Sequence, residues 1–89
     1  MKKSYVLGDK LKCIREVNSK ELEMTNPNIQ IEVGDTALVA DYDEVSAECS
    51  YVQLVLFHKQ REYDIIAYND YPDHPIVDEC FEKIEESEP

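Results

Sequence analysis

Ser50-Tyr51-Val52-Gln53-Leu54-Val55-Leu56-Phe57-His58-Lys59-Gln60-Arg61-Glu62-Tyr63-Asp64-Ile65-Ile66-Ala67-Tyr68 is the stretch on which the fold turns. Val52, Leu54 and Leu56 alternate with Tyr51, Gln53, Val55 and Phe57, the period of two that places successive side chains on opposite faces of a strand. A polar interruption, His58 to Glu62, is followed by a second apolar run from Tyr63 to Tyr68. Two β-rich runs divided by a short polar segment make a β-hairpin.

The same period extends outward. In Gly34-Asp35-Thr36-Ala37-Leu38-Val39-Ala40-Asp41-Tyr42-Asp43-Glu44, the positions Thr36, Leu38, Ala40 and Tyr42 share one mainly apolar face and Ala37, Val39 and Asp41 the other. Lys10 to Val17 is a shorter strand, with Leu11 and Cys13 inward and Lys10 and Lys12 outward, opened by a turn at Gly8-Asp9. Between it and Gly34 lies a long excursion whose Asn18-Ser19 and Asn26-Pro27-Asn28 are turn formers and whose Ile29 and Ile31 return to the core. Ser19 with Leu22 three residues on is not a capping box, although Lys20 to Met24 can form one helical turn. Two prolines in Asn69 to Pro75 predict a loop after Tyr68, because proline cannot donate to a strand ladder. Val77, Cys80, Phe81 and Ile84 then recur as on one helical turn. The expected organisation is a single domain over 1–84 with an acidic, frayed tail over 85–89.

In these positions, Gly8-Asp9-Lys10-Leu11-Lys12-Cys13-Ile14, Ile31-Glu32-Val33-Gly34-Asp35-Thr36-Ala37-Leu38 and Phe81-Glu82-Lys83-Ile84, the chain resembles the small SH3-like β-barrel proteins of phages and Gram-positive bacteria. The resemblance covers nearly the whole chain. It implies an all-β barrel of about five strands, a long first loop, and a single 3₁₀ or helical turn at Asp78 to Phe81 before a last strand, Glu82 to Ile84, beside the first. Most of that group has no assigned activity, so the resemblance speaks to fold more than to function. The chain departs from the pattern in a longer, more acidic 69–75 loop and in lacking the basic surface of nucleic-acid-binding SH3-like domains. An oligonucleotide-type barrel is the alternative architecture, against which acidity and the absence of a helix between strands count.

Charge narrows the function classes. The net charge is −11, split as +4 over residues 1–20 and −15 over residues 21–89. A field of that sign repels phosphate backbones and attracts basic protein surfaces, so direct nucleic-acid binding is not expected and a protein partner with a basic surface is. No apolar run is long enough to span a bilayer. Three widely spaced cysteines, Cys13, Cys49 and Cys80, read as free thiols of a cytoplasmic protein.

Chemistry candidates concentrate in Asp70 to Cys80. Zinc needs four ligands brought together in close pairs, and Asp73, His74, Asp78 and Cys80 are mixed ligands interrupted by proline. Asp41, Asp43 and Glu44 suit a hard cation in chemistry, but lack the spacing and glycine of a calcium loop. A nucleophile needs an adjacent base, which leaves Cys80 with His74; Cys80 shares an apolar face with Phe81 and Ile84, where a thiol packs as a small hydrophobe. The expectation is therefore a non-enzymatic module with no metal and no cofactor, in which Tyr68, Asp70, Tyr71, Asp73, Asp78, Asp43 and Glu44 form an acidic, tyrosine-bearing contact surface. In its sharpest form this is a phage-encoded inhibitor that occupies the nucleic-acid groove of a host protein by imitating phosphate charge. The rival readings are a homo-oligomeric accessory protein that pairs through strand edges and a small thiol- or metal-dependent hydrolase.

Overall fold

A computed structural model describes residues 4–71 and 73–84; the basic residues 1–3, Pro72 in the proline loop and the acidic tail expected at 85–89 lie outside the described residues. The fold is mainly β. Its elements are β1 (Lys10–Cys13), β2 (Val17–Asn18), α1 (Ser19–Leu22), β3 (Gln30–Ile31), β4 (Thr36–Glu44), β5 (Cys49–His58), β6 (Arg61–Asp70), α2 (Ile76–Cys80) and β7 (Phe81–Lys83). Five strands form one antiparallel sheet in the order β6-β5-β4-β1-β7, and β2 and β3 pair in a small ribbon. Among the described residues β6 and β7 do not pair with each other, so the sheet is open rather than a closed barrel.

The hairpin read from the sequence is its centre. Every second residue of β5 from Ser50 to His58 is buried, Val52, Leu54 and Leu56 among them. The intervening Tyr51, Gln53, Val55 and Phe57 are half-exposed on the opposite, outer face. The turn is tighter than the five polar residues suggest: His58 pairs with Arg61, leaving Lys59 and Gln60 alone at the tip. Both have positive φ, 49° and 66°, as type I′ turns require and as asparagine and glycine more easily adopt. β1 also follows the expected alternation, with Leu11 and Cys13 fully buried.

β4 corrects the sequence reading. Val39 faces Leu54 but Asp41 faces Gln53, so Ala40 is an extra residue, a β-bulge. Before it Ala37 and Val39 are buried while Thr36 and Leu38 are only half-buried. After it Tyr42, opposite Val52, turns inward and packs on the core. Tyr42 therefore does not share a face with Thr36 and Leu38, because one inserted residue inverts a period of two.

Two turns use one device. In Val6-Leu7-Gly8-Asp9 and Glu32-Val33-Gly34-Asp35, glycine takes φ of +90° and +100°, the conformation that side chains disfavour. The aspartate Oδ2 then accepts the N–H of the first turn residue, Val6 at 2.9 Å and Glu32 at 2.9 Å. Each aspartate also reaches across the fold. Asp9 pairs with Lys83 at 3.3 Å, and Asp35 accepts from His58 Nδ1 at 2.7 Å, so the buried His58 carries its proton on that nitrogen.

The long excursion caps the inner face of the sheet. α1 does carry a capping box, shifted one residue from the position tested in the sequence: Asn18 Oδ1 accepts from Lys20 N at 2.9 Å and Asn18 N–H donates to Glu21 Oε2 at 3.0 Å. Asn26, buried, then acts as a surrogate strand beside β6. Its Oδ1 accepts from Ile66 N at 2.8 Å and its Nδ2 donates to Ile66 O at 2.7 Å and to Ser19 O at 2.9 Å. The free edge of β6 is thus bracketed by a side-chain amide rather than by another strand.

Candidate functional site

The prolines end β6 two residues later than expected: Asn69 and Asp70 still pair with Ser50 and Cys49. A short bridge between Asp70 and His74 closes the turn, with His74 N–H donating to Asp70 O at 2.6 Å. Tyr71 N–H donates to Glu48 O at 2.7 Å and ties this turn to the β4–β5 connection. Asn69 is fully buried and takes over the cap of α2, whose own N-cap, Pro75, has no side-chain donor or acceptor to offer. Asn69 Oδ1 accepts from Val77 N at 2.8 Å and from Asp78 N at 3.2 Å.

Of the seven candidate contact residues, the structure gathers three on one face. Asp43, Tyr51 and Tyr68 stand directly opposite one another across β4, β5 and β6. The Tyr51 and Tyr68 rings meet edge to face, centroids 5.4 Å apart, and Tyr68 remains 38% exposed. Asp70, two residues after Tyr68, lies on the same outer face by strand alternation and is exposed. Asp41 precedes Asp43 on that face, opposite Gln53 and then Ile66. The result is an aromatic pair framed by carboxylates at one end of the sheet, with exposed Asp73 in the adjoining turn. Tyrosine offers broad contact area at low entropic cost, and carboxylates around it favour a cationic partner.

The remaining candidates point elsewhere. Glu44 is opposite Ser50, on the inner side of the sheet end, where the Tyr42 hydroxyl donates to it at 3.3 Å. Asp78 is half-buried at the centre of a polar knot. Its Oδ1 accepts from the Tyr5 hydroxyl and from Asn69 Nδ2 at 3.2 Å, and its Oδ2 accepts from the Tyr71 hydroxyl. Burial first, then the bond to and the charge of Asp78, push the Tyr5 phenol far above its ordinary range. Asp78 and Tyr71 thus join α2, β6 and the segment before β1, and their polar atoms are engaged inside the fold rather than displayed.

The chemistry of the thiol reading does not assemble. Cys80 is 1% exposed and burial raises its thiol, whereas His74 is exposed on the turn. A buried thiol held in its neutral form is a poor nucleophile. Among the described residues no three His, Cys, Asp or Glu side chains converge as a metal site would need, and no helix is long and apolar enough to cross a membrane.

Tyr51 was legible as one of several interleaved tyrosines but not as the partner of Tyr68. The signal was turn length: a two-residue loop at Lys59-Gln60 fixes the whole hairpin register and pairs the two rings. Asn26 and Asn69 carried no such signal, since each bonds a backbone or helix end outside its own segment. No protein-family model matches the chain, and no curated protein or solved structure is significantly similar to it.

Proposed function

We propose that the chain is a non-enzymatic interaction module with an SH3-like arrangement of strands, which engages a basic protein surface through the Tyr51–Tyr68 pair and the carboxylates of Asp41, Asp43, Asp70 and Asp73. The observation that carries this reading is the Asp43-Tyr51-Tyr68 row, which sets aromatic contact area beside negative charge on an open sheet face. The SH3-like part rests on the order of turn, strand and long excursion, and on a final short strand beside the first. With a net charge of −11, the surface suits a groove that normally holds phosphates. An inhibitor of a nucleic-acid-binding protein, such as a phage would encode, is the role in which that chemistry is useful.

The test is capture from bacterial lysate on the immobilised chain at physiological salt, with double-stranded DNA as competitor. Basic proteins should be retained, DNA should displace them, and the triple substitution Asp43→Asn, Asp70→Asn, Asp73→Asn should abolish retention. Retention of nothing basic, or retention indifferent to the triple substitution, overturns the reading.

A further inference from the structure

Across four of its five strands, the outer face of the sheet away from the acid–tyrosine end carries a self-complementary charge pattern, beyond which, on β7, Glu82 stands opposite Lys12. The strand registers define two rows across four strands. One runs Asp64 on β6, Val55 on β5, Leu38 on β4 and Lys10 on β1; the other runs Glu62, Phe57, Thr36 and Lys12. Each row has an acid at the β6 end, half-exposed apolar or small side chains in the middle and a lysine at the β1 end. An open groove of about 470 Å³, lined by Lys10, Thr36, Ala37, Leu38, Phe57 and Ile84, lies over the rows toward their β1 side.

We propose that this face docks a second copy of the chain, sheet against sheet, about a two-fold axis parallel to the strands and passing between β4 and β5. That operation exchanges β6 with β1 and β5 with β4 while leaving position along the strands unchanged. Asp64 of one copy therefore meets Lys10 of the other, Glu62 meets Lys12, Val55 meets Leu38 and Phe57 meets Thr36. Every contact occurs twice, as an isologous interface requires. A two-fold axis perpendicular to the strands would instead bring β6 over β6 and β1 over β1, acid on acid and lysine on lysine. The pattern thus selects both the occupant and the orientation.

Stacked sheets lie about 10 Å apart with their strands within about 30° of each other, which lets the central apolar side chains interdigitate and lysine heads reach the facing carboxylates. The patch, four strands at about 4.8 Å spacing and roughly five residues deep, is about 19 by 17 Å, roughly 650 Å² over both copies and below the standard size of specific interfaces, so the dimer is a weak, transient one. Among the described residues β1 does not extend to the Asp43-Tyr51-Tyr68 row, so β1 sets no lysine against that end in the dimer. Acids of both copies repel there and splay the sheets, which leaves the two acid–tyrosine ends side by side and open. Pairing through the edge of β6 is disfavoured because Asn26 already brackets it.

Sedimentation equilibrium on the full chain from about 1 µM to about 500 µM tests the proposal. Wild type should show a concentration-dependent monomer–dimer equilibrium. Lys12→Glu and Glu62→Lys each convert two attractive contacts into repulsive ones and should weaken it at least about tenfold. Because both positions are exposed, the variants should keep the fold. Mixed together, the two single variants should form a heterodimer of wild-type strength, since each then meets its opposite charge. A monomer throughout, reversals without effect, or single variants that fail to pair with each other would each overturn the proposal. None of these outcomes bears on Asp43, Asp70 or Asp73, so the partner-binding reading stands or falls separately.

Discussion

The bracket formed by Asn26 on the edge of β6 can be weighed by removing it. In Asn26→Ala, three hydrogen bonds are lost at once: Ile66 N–H and Ile66 C=O lose their only side-chain partner from the excursion, and Ser19 C=O loses one of its donors. At about 1 kcal/mol net per bond, the cost is about 3 kcal/mol. A domain of this length holds only about 4 to 13 kcal/mol in total, so the loss is a large fraction of its stability. With a urea m-value of about 1 kcal/mol/M for so small a protein, the midpoint should fall by about 3 M at unchanged m. Asn26→Asp is the sharper probe. It keeps an acceptor for Ile66 N–H but sets a carboxylate oxygen against the carbonyls of Ile66 and Ser19, so at neutral pH it should be no more stable than the alanine variant and should recover as the carboxyl is protonated in acid. Hydrogen exchange at the Ile66 amide gives a local readout, and protection there should drop in both variants. If Asn26→Ala costs less than about 0.5 kcal/mol, within the range of ordinary surface substitutions, or Asn26→Asp matches wild type at neutral pH, the excursion is not held to β6 in this way.

Other expectations follow from single features. Gln60→Gly, at a tip residue with positive φ, should stabilise the protein by about 0.5 to 1 kcal/mol in thermal or urea unfolding, and a destabilised variant would show that the turn is not of the primed type. The raised phenol of Tyr5 favours the neutral form in the folded state, so its contribution is intact below the ordinary tyrosine pKa of about 10 and lost as pH rises above it. Stability measured across that alkaline range should fall steeply in wild type and less steeply in Tyr5→Phe; parallel slopes would exclude Tyr5 as the cause. Titration of the native protein with a thiol reagent should label Cys49 first, because it is the least buried of the three cysteines while burial raises the thiols of Cys13 and Cys80. Cys80 reacting at the rate of Cys49 would contradict its place in the core.

Much of the sheet was legible because its signal is local. Leu11 and Cys13 in β1, and Val52, Leu54 and Leu56 in β5, announce their inward face through a period of two that neighbouring residues alone supply. The candidate site was legible in composition rather than in arrangement: Tyr68, Asp70 and Asp43 do share a face, whereas Glu44 lies exposed on the other side of the sheet end and Asp78 is half-buried. Nothing in an aspartate's own segment distinguishes a carboxylate that will face solvent from one that will accept two tyrosine hydroxyls.

By itself, then, the sequence determined a small, mainly β domain, the hairpin at its centre, the strongly negative charge and the burial of Cys80. Only the tertiary structure decided where the alternation inverts at Ala40, which side chains stand in for missing backbone partners at Ile66 and at the start of α2, and which acids lie opposite which lysines across the sheet. The reason is one of range. Alternation and turn chemistry are set by residues a few positions apart, while the Asn26–Ile66 bracket, the Tyr5–Asp78 bond and the Asp64-Val55-Leu38-Lys10 row join segments that meet only once the chain has folded.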